Sequence, residues 1–130
     1  MKRLLVLCTA NSARSQMAEG LFRAKLGAGW EVCSAGARPT RVRPEAIEVM
    51  AEMGIDLSGH RSKATDEFLG QEFDCVVTVC DNARDACPIF PGQAERIHWS
   101  LPDPEGLDGF RAVRDRLAAL VAEFARDRAR

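Results

Sequence analysis

Cys8, Arg14 and Ser15 are the residues of this chain best placed to do chemistry together. They fall in one string, Cys8-Thr9-Ala10-Asn11-Ser12-Ala13-Arg14-Ser15. The residues between the cysteine and the arginine are small or short and polar, so the backbone can close around a tetrahedral anion and turn its N–H groups toward it. Arg14 adds a planar fork of donors, which suits two oxygens of a tetrahedral oxyanion better than a lysine would. A helix starting just after the loop would aim its positive end at the same spot. A cysteine in such a field is favoured as thiolate, the form that attacks. Ser15 can donate to the sulfur, and Asn11 is a residue that tolerates left-handed backbone and can tie the loop together. The competing reading makes Cys8 a buried small hydrophobe at a strand end, the usual fate of an unpaired cysteine. The arginine and serine beside it, between a strand and a helix, favour the anion site.

The other thiols are Cys33, Cys75, Cys80 and Cys87. Cys75 opens an apolar strand and Cys33 lies within another, so both are expected to pack. Cys80 and Cys87 stand seven residues apart on the segment leaving the most β-branched strand. A flexible loop of that length can close a disulfide, whereas a helical one would have to unwind partly first. Zinc is disfavoured, because these two cysteines lack the short Cys-x2-4-Cys spacing and His60 and His98 make no ligand pair. No metal site is expected. His98 and Trp99 read as strand packing, and His60 as a loop residue.

The elements that must position these groups follow from apolar patterning. Residues 4–7 are continuously apolar, as in a strand covered on both faces of a parallel sheet. Residues 8–15 form a loop, and 16–26 a helix with Met17, Ala18, Leu21, Phe22 and Leu26 on one side. A strand at 31–34 precedes a loop, then a helix at 44–53 that starts on Pro44 and stops at Gly54. Residues 55–63 look irregular, and 66–69 form a helical turn. The strongest strand is 75–79. Residues 81–87 read as a short helix or loop stopped by Pro88, Pro91-Gly92 as a turn, and 96–99 as the last strand. The final helix has Asp108 as its expected N-cap and Phe110, Val113, Leu117, Leu120, Val121 and Phe124 on its apolar face. Strands alternating with helices imply an α/β three-layer sandwich around a four-stranded parallel sheet, with right-handed crossovers and helices on both faces. Ligands of such sheets bind beyond the carboxyl ends of the strands. Cys8 and Cys80 both sit at such ends, and Asp103 follows the last strand.

Composition narrows the function classes. A chain of 130 residues is the size of a single domain, and one domain over 1–130 is expected. An apolar fraction of 46% with 28% charged residues is that of an ordinary globular protein, which sets disorder aside. A net charge of -1 gives no surplus for nucleic acid or for an anionic membrane, so neither is an expected partner. The basic start followed by residues 4–7 is too short an apolar run for a secretory signal and reads as a strand. No stretch is apolar for the length of a membrane span. A cytoplasmic location is expected, and there five cysteines do not form a static disulfide framework.

The string CTANSARS resembles the phosphate-binding loop of the low-molecular-weight protein tyrosine phosphatases and of the arsenate reductases that share their fold. The resemblance covers essentially the whole chain. SAG at 34–36, GIDLSGHRSK at 54–63, VVTVCDNARDACPIFP at 76–91 and HWSLPDPEG at 98–106 look like arsenate reductase segments in the same order. It implies the flavodoxin-like topology of that family and a thioredoxin-coupled arsenate reductase with no cofactor. Residues 9–15 would hold arsenate, with phosphate or sulfate as competing oxyanions. Cys8 would attack arsenate, Cys80 would attack Cys8 and release arsenite, and Cys87 would attack Cys80 and pass the oxidised pair to thioredoxin. Asp103 matches the family's general acid. Ala13 stands where some relatives have another cysteine. Some relatives also bind potassium, and Asn11, Glu19 and Ser34 match its ligands, but the remaining acidic position is Lys63, whose ammonium would replace the ion. A monomer is expected.

Two other readings compete. A tyrosine phosphatase would need only Cys8, Arg14 and Asp103. It is disfavoured because the chain has no Tyr and has Glu105 where the phosphatases it resembles carry an aromatic residue. A non-catalytic module could bind arsenic through the same thiols, and turnover separates it from an enzyme.

Overall fold

Leu4, Leu5, Val6 and Leu7 are all at most 1% exposed, and that burial on both faces makes their strand the centre of the sheet. The computed structural model describes residues 1–79 and 94–128. The expectations placed on Cys80, on Cys87 and on residues 81–92 lie outside them. The strand β1 (Lys2–Cys8) is followed by α1 (Arg14–Leu26), a 3-10 turn (Gly27–Gly29), β2 (Trp30–Gly36) and α2 (Pro44–Ala51). A second 3-10 turn (Thr65–Phe68), β3 (Cys75–Thr78), β4 (Glu95–His98) and α3 (Gly106–Asp127) complete the order. The four strands are parallel in the order β2-β1-β3-β4.

Alternation along β1 divides the core in two. Leu4, Val6 and Cys8 face one side with Val32, Cys75 and Val77, where they meet Met17, Ala18, Leu21 and Phe22 of α1, Val49 and Met50 of α2, and Phe110, Leu117 and Phe124 of α3. Leu5 and Leu7 face the other side with Ala35 and Val76, covered by Phe73 and Phe68. Each fully buried Leu or Val contributes about 1.5–3 kcal/mol. Among the described residues all three α-helices therefore lie on one face, and the 3-10 turn with Phe73 covers the other. No helix among them is long and apolar enough to cross a membrane.

Element boundaries move by one to three residues from the sequence reading, and two shifts matter. Helix α1 begins at Arg14, not Gln16, so the loop shortens to residues 9–13 and the first helical turn includes both Arg14 and Ser15. Asp108 is not the N-cap of α3. That position is Glu105, with no side-chain cap bond, and Asp108 lies in the first turn, bonding Arg111 at 3.0 Å. A carboxylate is stabilised by the helix dipole at either place, so composition alone separates them poorly.

Candidate active site

Cys8 ends β1 directly opposite Gly36 of β2. The segments that follow the two strands then run together. Arg38 N donates to Thr9 O at 2.8 Å, Thr40 N to Ala10 O at 3.2 Å and Arg43 N to Ser12 O at 2.8 Å. Ser62 Oγ also reaches Ala10 O at 2.9 Å, and Gln16 Nε2 takes Asn11 O at 3.2 Å. Ala13 O accepts from Met17 N at 2.9 Å in the first turn of α1. Five successive carbonyls, from residue 9 to residue 13, thus have partners outside the loop. In a planar trans peptide the N–H points opposite to the C=O before it. The N–H groups of residues 10 to 14 are accordingly turned to the loop's inner side.

Asn11 fixes this shape. It is the single non-glycine residue with positive φ among those described (50°), and it is fully buried. Its Nδ2 donates to Ser15 Oγ at 2.8 Å and to Ser34 Oγ at 2.9 Å. Its Oδ1 accepts from Gln16 Nε2 at 3.0 Å and from Lys63 N at 2.8 Å. The short amide side chain offsets the cost of left-handed backbone and locks loop, β2 and residues 61–63 together.

The inner side of the loop opens on a cavity of about 300 Å³ lined by Cys8, Thr9, Ala10, Ser12, Ala13, Arg14, Arg43 and Asp103. Cys8 is 4% exposed. Arg14 NH1 donates to Leu101 O at 2.8 Å, and NH2 lies 3.7 Å from Asp103 Oδ1. Its Nε is buried with no hydrogen-bond partner among the described residues. A buried guanidinium N–H without an acceptor is costly, and an oxyanion in the cavity would supply one. Asp103 stands exposed at the rim.

Behind the loop lies a buried charge cluster. Glu19, 2% exposed, accepts from Ser34 Oγ at 2.5 Å and lies 3.1 Å from Arg23, 3.2 Å from His60 Nδ1 and 3.7 Å from Lys63 Nζ. Burial pushes the His60 imidazole below its ordinary value, with Arg23 and Lys63 adding to the shift and Glu19 opposing it. His60 Nδ1 also meets Gln16 Oε1 at 3.0 Å, so both neighbours are acceptors and Nδ1 carries the hydrogen of the neutral ring. The Glu19 carboxylate thus faces both the Lys63 ammonium and the Arg23 guanidinium. Among the described residues no group of three His, Cys, Asp or Glu is placed to hold a metal.

The structure therefore brings Cys8, Arg14, Asp103 and the loop residues to one cavity, and Ser15 beneath it. Cys33 and Cys75 stand elsewhere. Cys75 pairs with Leu4, four residues before Cys8 along β1, and burial pushes its thiol up to about 12. Cys33 packs on the opposite face of the sheet, and burial, followed by Glu31, raises it too. Sequence reasoning missed Arg43, Ser62 and the bracing of the loop by residues 36–43. Nothing in the pattern of that segment marks it, since its contribution is mostly backbone N–H.

A nucleophile-bearing anion cradle between the end of a parallel strand and the start of a helix defines the class. The chain is an α/β protein whose strand-end cysteine opens on a cavity lined by a short loop and an arginine. Residues 3–129 match the family model for low molecular weight phosphotyrosine protein phosphatase, and the chain belongs to that family. It is 43% identical to the arsenate reductase of Halalkalibacterium halodurans over 132 aligned positions, covering 95% of each. It is similar to a solved arsenate reductase in the phosphate binding state, at 36% identity and a TM-score of 0.80 over 98% of both chains. A thioredoxin-dependent arsenate reductase of Corynebacterium glutamicum is 26% identical with a TM-score of 0.81, over 98% of this chain and 61% of that one.

Proposed function

We propose that this chain is an arsenate reductase that reduces arsenate to arsenite through Cys8, Cys80 and Cys87 and is regenerated by thioredoxin. The observation that carries the oxyanion part is the loop of outward-bonded carbonyls with a partnerless buried Arg14 Nε beside Cys8. The relatives named arsenate reductase supply the choice of arsenate over other oxyanions.

The inward N–H groups and Arg14 hold the oxyanion, and the start of α1 stabilises the Cys8 thiolate. The thiolate bonds to arsenic while Asp103 protonates the departing oxygen, which leaves as water. Ser15, accepting from Asn11, keeps its own O–H for the sulfur. Cys80 then attacks the Cys8 sulfur. The sulfur–arsenic bond breaks, its electron pair stays on arsenic, and arsenite leaves while a Cys8–Cys80 disulfide forms. Attack by Cys87 on Cys80 releases the Cys8 thiolate, and thioredoxin reduces the Cys80–Cys87 pair. Each turnover moves two electrons from thioredoxin to arsenic. The protein acts as a monomer in the cytoplasm.

Arsenate-dependent NADPH consumption through thioredoxin reductase and thioredoxin tests this reading. Catalytic turnover abolished by Cys8→Ser is expected, and stoichiometric arsenic binding without turnover would contradict it. The same cradle accepts a phosphate ester, so slow hydrolysis of p-nitrophenyl phosphate is expected as a side activity. Hydrolysis faster than arsenate reduction would instead make the chain a phosphatase.

A further inference from the structure

Arg43 lines the same cavity as Cys8 and Arg14, yet nothing in the relay uses it. It is held from three directions. Its backbone N is bonded to Ser12 O at 2.8 Å, its guanidinium lies 5.2 Å from the Phe110 ring centroid, and NH2 donates to Glu45 Oε2 at 2.9 Å. A stacked, tethered guanidinium loses little freedom when it meets an anion. Arg14 is anchored from behind, with NH1 on Leu101 O and NH2 3.7 Å from Asp103, and turns its unpartnered Nε edge to the ligand. Five N–H groups and the Arg14 guanidinium serve the inner oxygens of a tetrahedral anion. Asp103 at the rim serves the departing oxygen alone, so any other oxygen facing the mouth needs a second donor from the rim.

We propose that Arg43 is a further oxyanion-binding residue, a second guanidinium at the mouth that contacts the outward oxygens of the anion and sets affinity for its doubly charged form. The inference rests on the oxyanion reading of the loop and deepens it. Glu45, followed by the charge of Asp103, keeps the Arg43 guanidinium protonated above its ordinary value. Arg38 and Arg41, exposed on the same segment, extend the positive rim and draw anions in. The Arg43–Glu45 pair makes the contact adjustable, because the carboxylate competes with the anion for the same guanidinium.

The probe is inorganic phosphate, titrated calorimetrically into the full chain above and below its second ionisation. Arg43→Met keeps an alkyl chain over Phe110 without the charge, and Arg43→Lys keeps the charge without the fork. Affinity for the dianion should fall about tenfold or more in Arg43→Met, the size of one charged hydrogen bond, and less in Arg43→Lys. Affinity for the monoanion should fall by less. With arsenate the KM should rise in step while kcat stays within about twofold, as expected when binding is lost equally from ground and transition states. Added salt should weaken phosphate binding to the parent chain more steeply than to Arg43→Met. Glu45→Gln should tighten phosphate. Parent-like dianion affinity in Arg43→Met overturns the proposal while leaving the loop reading intact, and so does a loss matched by equal falls in kcat and urea midpoint. Failure of the unsubstituted chain to bind phosphate overturns the loop reading itself.

Discussion

Gly36→Ala should injure both stability and anion binding through one short-range clash. A Cβ at residue 36 would stand 2.6 Å from Thr9 O, 2.8 Å from Asn11 N and 2.9 Å from Cys8 O. All three are backbone atoms, two of the loop and one at the end of β1, so no side-chain tip can swing aside. Gly36 does not have positive φ, and the effect is therefore steric rather than torsional. Overpacking costs typically 1–3 kcal/mol, and three backbone contacts under 3.0 Å put this substitution at about 2–3 kcal/mol. For a domain of this size that lowers the melting midpoint by roughly 6–12 °C. The relief available is a shift of the loop by several tenths of an ångström, which displaces the inward N–H groups and should weaken phosphate about tenfold or more. Gly59→Ala is the control, because nothing lies within 4 Å of its Cβ and its φ is not positive. It should be neutral or stabilising by about 0.4–1 kcal/mol. Urea unfolding followed by Trp30 and Trp99 fluorescence, with phosphate titration of each variant, makes the comparison. A Gly36→Ala chain with the parent midpoint and the parent phosphate affinity would refute the reasoning.

The thiols should separate by reactivity. With burial holding Cys75 at about 12 and Cys33 above its ordinary value, iodoacetamide at mildly alkaline pH should modify Cys8 well before either, and phosphate should protect Cys8. Peptide masses showing Cys75 labelled as fast as Cys8 would contradict this. His60 should contribute an acid-side loss of stability, because its folded value lies below the unfolded one. The contribution is complete above about 6.5 and is lost as pH falls from there toward the lowered folded value, where the unfolded chain binds the extra proton. His60→Gln should flatten that part of the urea midpoint against pH curve, and an unchanged slope would show that His60 does not cause it. Potassium should not stimulate the reductase over sodium, since Lys63 Nζ sits 3.7 Å from Glu19. A clear potassium activation would count against that replacement. Cys87→Ser should permit at most one round of reduction and leave a Cys8 to Cys80 disulfide, so sustained thioredoxin-driven turnover in that variant would contradict the relay.

Strands and helices were legible because their burial is written in apolar spacing. Residues 4–7 read as a doubly covered strand and are one, and the periodic faces of residues 16–26 and 108–124 meet the sheet apart from Leu120, which is only partly buried and outside the core cluster. The loop was legible for a different reason: a cysteine, small residues and an arginine between strand and helix leave few chemistries open. Asn11 could be singled out because few side chains tolerate left-handed backbone. The supports of the loop were not legible. Arg38, Thr40 and Arg43 act through main-chain N–H groups that any residue but proline provides, and so leave no trace in residue type. Gly36 is needed for proximity to another segment, and sequence spacing does not encode such an approach. The cap of α3 misled because Asp108 suits the first turn as well as the N-cap.

Disulfide mapping after a single arsenate turnover, with acid quench and no added thiol, bears most directly on the proposed relay. The account predicts one intramolecular disulfide, joining Cys80 and Cys87, with Cys8 returned to its thiol and one arsenite formed per chain. Arsenite formed with Cys80 and Cys87 both still reduced, or a disulfide that includes Cys33 or Cys75, would contradict it.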